Sequence, residues 1–77
     1  MGEAQKQVLE QMRELSRTVR ENADYVGDQF AEEARKIHFG ETEVRGIYGE
    51  ASKEEVHSLI EDGVDVMPLP VFPEDKN

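Results

Sequence analysis

The chain has 77 residues, 36% hydrophobic and 35% charged, with eighteen acids against nine bases and a net charge of −9. That describes a small acidic chain with room for one core and no second domain. The absence of cysteine excludes disulfide staples, thiolate zinc sites and sulfur nucleophiles, and is compatible with a cytoplasmic setting. Such a charge argues against nucleic acid and anionic membrane partners, and no apolar run is long enough to span a bilayer.

Leu, Ile, Val and Phe number eighteen, enough to favour a folded chain over a disordered one. The charge is unevenly spread. Over residues 1–23, Lys6, Arg13, Arg17 and Arg20 balance Glu3, Glu10, Glu14 and Glu21, so the whole net charge lies downstream. Those bases and acids alternate at helical spacing, the pattern of a solvated helix surface rather than a basic docking stripe.

From Val8, apolar residues recur at Met12, Leu15, Val19, Ala23, Val26, Phe30, Ala34 and Ile37, in phase with an α-helix. Residues 4–40 are therefore predicted as a helical region, with residues 1–3 lying outside the fold as a leading start. One long helix and two helices meeting near Asn22-Ala23-Asp24 both fit. Two are preferred, because Asn and Asp favour caps and a single helix of that length would leave its stripe exposed unless it dimerised.

Gly40 is placed to close the second helix in the left-handed conformation. Residues 41–51 read as a Gly-rich loop. Ser52, three residues before Glu55, makes a capping box for a helix over 52–63, carrying Val56, Leu59 and Ile60 and ended by Gly63. Residues 64–77 contain Pro68, Pro70 and Pro73 among Val64, Val66, Leu69, Val71 and Phe72, and read as an extended tail laid against the helices. The literal P-x-x-P of Pro70-Val71-Phe72-Pro73 lacks a flanking basic anchor and fits packing within the chain better than recognition by another domain.

The runs YVGDQFAEEARKIHFGE at 25–41, RGIYGEAS at 45–52 and MPLPVFPEDKN at 67–77 together resemble the C-terminal region of the bacterial domain of unknown function 1178 family. The resemblance covers roughly residues 9–77, and Met1-Gly2 look like an added start. It implies a parent protein whose N-terminal part is zinc-ribbon-like, with paired cysteines that this chain lacks. The family carries no assigned activity, so the resemblance supplies architecture and no catalytic residue.

Three constellations bear on chemistry. His38 and His57, with acids nearby, allow a zinc site to be drawn, but their spacing matches no H-E-x-x-H pattern, and histidines that cap or titrate at the surface are the better reading. Ser16, Ser52 and Ser58 sit in no nucleophile elbow; Ser58 adjoins His57, but neighbours on a helix point apart. The segment GETEVRGIYGE at 40–50 is the most unusual. Arg45 there has the chemistry to grip a carboxylate or phosphate and Tyr48 to stack, with His38 and Glu41 beside them. The plainer reading is that the glycines turn the chain, Ile47 and Tyr48 plug the core, and Arg45 pairs with a helix acid. Met12 and Met67 read as gap-fillers.

The expected fold is mainly α: a small domain of two to three helices, a Gly-rich connecting segment and an extended Pro-containing tail. Val8, Met12, Leu15, Val19, Phe30, Ile37, Val56, Leu59 and Ile60 are its expected core. The leading functional expectation is a non-enzymatic protein-interaction or self-association module, with an unknown protein partner or a second copy, no catalytic residue, no metal and no cofactor. It predicts an exposed apolar groove or dimer seam along the first helix. The alternative is a small-ligand or metal-dependent site built from His38, Glu41, Arg45 and Tyr48, which predicts their convergence in one concavity. A tail ordered only by its partner is a third.

Overall fold

The computed structural model of the chain describes residues 2–71. The expectations for Phe72 and Pro73 lie outside them. The fold is mainly α, with three helices and a two-stranded sheet: α1 Glu3–Asn22, β1 Asp24–Gly27, α2 Phe30–His38, β2 Ile47–Gly49 and α3 Lys53–Glu61.

The long apolar period does break near Asn22. The Ala23 N–H bonds to the Val19 carbonyl at 2.7 Å, and the chain then extends instead of restarting a helix. Asp24–Gly27 pairs in parallel with Ile47–Gly49, in register Asp24 to Ile47, Tyr25 to Tyr48 and Gly27 to Gly49, with an irregularity between Tyr25 and Gly27. α2 is the crossover that parallel strands require, so β1, α2 and β2 form a small βαβ unit. Both strands lie in segments read from the sequence as helix and loop. They are too short to show alternation, and Asp24, Gly27 and Gly49 are poor strand formers.

Helix ends follow local chemistry closely. Ser52 Oγ accepts from the Glu55 N–H at 3.1 Å while Glu55 Oε1 accepts from the Ser52 N–H at 2.8 Å, a reciprocal cap that starts α3. α3 stops in a Schellman motif: Gly63, at φ +82°, bonds to the Ile60 carbonyl, and the Val64 N–H bonds to that of Leu59. Val64 and Leu59, the apolar pair that accompanies such a motif, are both buried. α2 closes the same way at Gly40, whose N–H bonds to Ile37 while that of Glu41 bonds to Lys36.

The core is small. Ala31 and Ala34 of α2, Leu59 of α3 and Val64 form it, with Phe30, Ile47 and Val66 packed around them. Val19, Phe30, Ile37 and Val56 are half-buried. Val8, Met12, Leu15 and Ile60, expected inside, are exposed at 53, 38, 48 and 59%. On α1 the buried residue is instead Ser16, at 0% exposure, whose hydroxyl donates to the Pro70 carbonyl at 2.8 Å. The tail crosses α1 near its C-terminal end and leaves the rest of the helix bare.

Candidate functional site

Arg45 follows the turn after α2 and reaches back to the body. Its Nη1 donates to Asp24 Oδ2 at 2.7 Å and its Nη2 to Glu33 Oε2 at 3.3 Å, tying the loop to the start of β1 and to α2. The hydrogen bond to Asp24, with the charges of both acids, raises the guanidinium pKa above its already high ordinary value. The side chain stays 38% accessible, yet both ends of its fork are engaged.

His38, at the end of α2, shares with Arg45 the rim of a shallow cavity of about 300 Å³, whose other walls include Phe30, Ile37, Ile47 and Asp65. The His38 ring lies edge-on to Phe39, with centroids 4.8 Å apart. Tyr48 faces a neighbouring groove of about 260 Å³ with Leu15, Val19, Phe30, Met67 and Leu69. Glu41 is on the wall of neither; its backbone closes α2 and its side chain is exposed. The structure thus brings His38 and Arg45 to one depression, turns Tyr48 to another and leaves Glu41 outside both.

Tyr48 has a different companion. Its ring packs 5.2 Å from that of Tyr25, tilted by 48°, across the strand pair. The Tyr25 hydroxyl donates to Glu50 Oε1 at 2.6 Å. That bond, backed by slight burial and by the carboxylate charge, raises the Tyr25 pKa, because ionising the phenol would set one anion against another. His57 lies on α3 with its Nε2 2.5 Å from Glu61 Oε1, apart from His38's depression. Among the described residues, no three His, Asp or Glu side chains come together to hold a metal ion.

The broadest unpartnered apolar surface on α1 is its N-terminal part. Ala4, Gln5, Val8 and Leu9 line an open trough there, and the stripe continues through Met12 to Leu15. At Leu15 and Val19 the stripe meets Phe30, Tyr48 and the tail residues Met67, Pro68 and Leu69. Ser16 is the element of this surface that the sequence reading passed over. Its place four residues after Met12 put it on the apolar face, and a small hydroxyl there signals a close backbone approach.

No helix among the described residues is long and apolar enough to cross a membrane. No curated protein and no solved structure matches the chain. A family model does, that of a protein of unknown function designated DUF1178, over residues 2–74. That match takes in all the elements described and most of the tail, and the chain belongs to the domain of unknown function 1178 family.

Proposed function

We propose that this chain is a non-enzymatic protein-interaction module, the C-terminal part of a zinc-ribbon-type protein, and that the bare stripe of α1 is its docking surface. One observation carries the reading: in a helix of 20 residues, Val8, Met12 and Leu15 stay exposed while a single residue, Ser16, is buried. Exposed apolar side chains in a row cost solubility unless a partner covers them. The loop supports a scaffolding role for Arg45, since both of its nitrogens are held by acids of the same chain. A small-ligand site at His38, Glu41, Arg45 and Tyr48 is the less supported reading, because those side chains are divided between separate surfaces.

The test places a photo-crosslinking residue at position 8, and separately at Glu10 on the charged back of α1, in cells making the protein. Adducts to protein from position 8 and few from position 10 are the expected result. Equal labelling from both, or none from either, removes α1 as the docking surface.

A further inference from the structure

α1 stands apart from the rest of the molecule. At 1.5 Å per residue its 20 residues make about 30 Å, within a longest dimension of 44 Å. Among the described residues, close pairing joins β1 to β2, and α2 to α3 and to both strands, while none of these elements packs closely along α1. Between α1 and the body lies the groove of about 260 Å³, with Leu15 and Val19 contributed by α1, Phe30 and Tyr48 by the body, and Met67 and Leu69 by the tail.

The tail bridges that gap. It is rooted at Val64, which is buried in the core beside Leu59, and Val66 packs on the same cluster. Farther along, the Pro70 carbonyl accepts from Ser16 Oγ at 2.8 Å, and Ser16 is wholly buried. Pro68 and Pro70 fix two of the intervening φ angles, which makes the segment a stiff tie. The other link between α1 and the body is covalent: Ala23 alone separates α1 from β1, in an extended conformation with φ −110° and ψ 160°. A single residue at the end of an element is the kind of position that absorbs a hinge rotation.

We propose that Met67–Pro70 is a strap that holds α1 against the body and keeps the inner end of its apolar stripe closed. The buried core of Ala31, Ala34, Leu59 and Val64 takes no residue from α1 or from the strap, so lifting the strap leaves the βαβ unit and α3 folded while α1 turns about Ala23. The strap lifts at low cost in buried area, since Met67 is 73% exposed and Val71, just beyond it, 64%. Release uncovers Leu15 and Val19 together with Phe30 and Tyr48, an apolar face that continues the bare run of Val8 and Met12. On the reading of α1 as a docking surface, on which this consequence rests, the strap is an autoinhibitory contact. A partner reaches the outer part of the stripe in the closed form and its whole length only when the tail has let go.

Because the chain has no cysteine, Gln11→Cys and Lys53→Cys, both exposed, place one spin label on α1 and one on α3 of the full chain. Dipolar electron paramagnetic resonance is expected to give one narrow distance distribution. Leu69→Glu, which puts a charge into the groove, and Ser16→Leu, which crowds the Pro70 carbonyl, are each expected to broaden it severalfold while the amides of Leu59 and Val64 stay protected from hydrogen exchange. An unchanged distribution in both variants overturns the strap, because α1 is then held by other contacts. Broadening with loss of protection at Leu59 also overturns it, since the tail is then part of the core's cooperative unit. Gating is read separately in cells, with a photoreactive phenylalanine of similar size in place of Tyr48. Adducts from position 48 are expected to rise severalfold with Leu69→Glu, and those from position 8 to persist. A released α1 without that rise overturns the autoinhibitory role and leaves the docking surface standing, whereas no adducts from position 8 in either form remove the docking surface and the gating with it.

Discussion

Replacing Gly49 with alanine puts a methyl group where the backbone of β1 already lies. The added carbon would stand 2.4 Å from the Gly27 carbonyl oxygen, 3.0 Å from its nitrogen and 3.2 Å from its carbonyl carbon. All three are main-chain atoms, so no side chain can swing away, and the strand pair must separate locally. Overpacking of this kind costs about 1–3 kcal/mol. A chain of this length holds about 4–12 kcal/mol in all, so the melting temperature falls by roughly 4–8 °C for each kcal/mol lost. Two other glycines serve as controls. At Gly46 the new methyl meets Ala23 at an ordinary 3.5 Å, and Gly46→Ala should stay within about 0.5 kcal/mol of the parent. At Gly40 nothing lies within 4 Å, but φ is +74°, so Gly40→Ala loses about 1 kcal/mol through backbone conformation alone. Thermal unfolding followed by far-ultraviolet circular dichroism ranks the three. If Gly49→Ala melts with the parent, the close parallel pairing of β1 and β2 is refuted.

Ser16→Ala removes the hydroxyl that holds the Pro70 carbonyl and should cost about 1 kcal/mol, with faster amide exchange at Leu69 and Val71; exchange unchanged there would mean the tail is held by other contacts. Ser52→Ala should cost about 1 kcal/mol by opening the cap of α3, and Ser52→Gly only a few tenths, a difference that thermal melts can read. The raised pKa of Tyr25 makes its phenol titrate above the ordinary ~10. Because the folded value is the higher one, the stability this adds is present below about pH 10 and lost as pH rises through the folded value. Glu50→Gln should bring the Tyr25 titration, followed by NMR of its ring, back toward the ordinary range; no movement would show that Glu50 is not its cause.

Local chemistry was legible in the sequence wherever it acts over a few residues. Ser52 with Glu55, Gly40 and Gly63 marked helix ends, because a cap needs only a hydroxyl, a carboxylate or a residue free to take positive φ within one turn. The break near Asn22 and the lack of helix across the prolines at residues 68–70 belong to the same class. Of the candidate site, the pairing of Arg45 with a helix acid could be read in advance as chemistry, though Asp24 and Glu33 could not be named as its partners.

Tertiary structure decided what periodicity could not distinguish. Ala23 and Val26 kept helical phase with Val19 and Phe30, yet β1 leaves the helix because Ile47–Gly49 offers backbone partners 23 residues downstream at Asp24 and 22 at Gly27. Pairing at that separation leaves no mark on a local pattern. The stripe of α1 likewise announced an apolar face but not its neighbour. Whether Val8 and Met12 would be covered depended on where the tail crosses, and it crosses at Ser16. Amphipathic spacing reports which side of a helix avoids water, while the rest of the chain determines how much of that side it can cover.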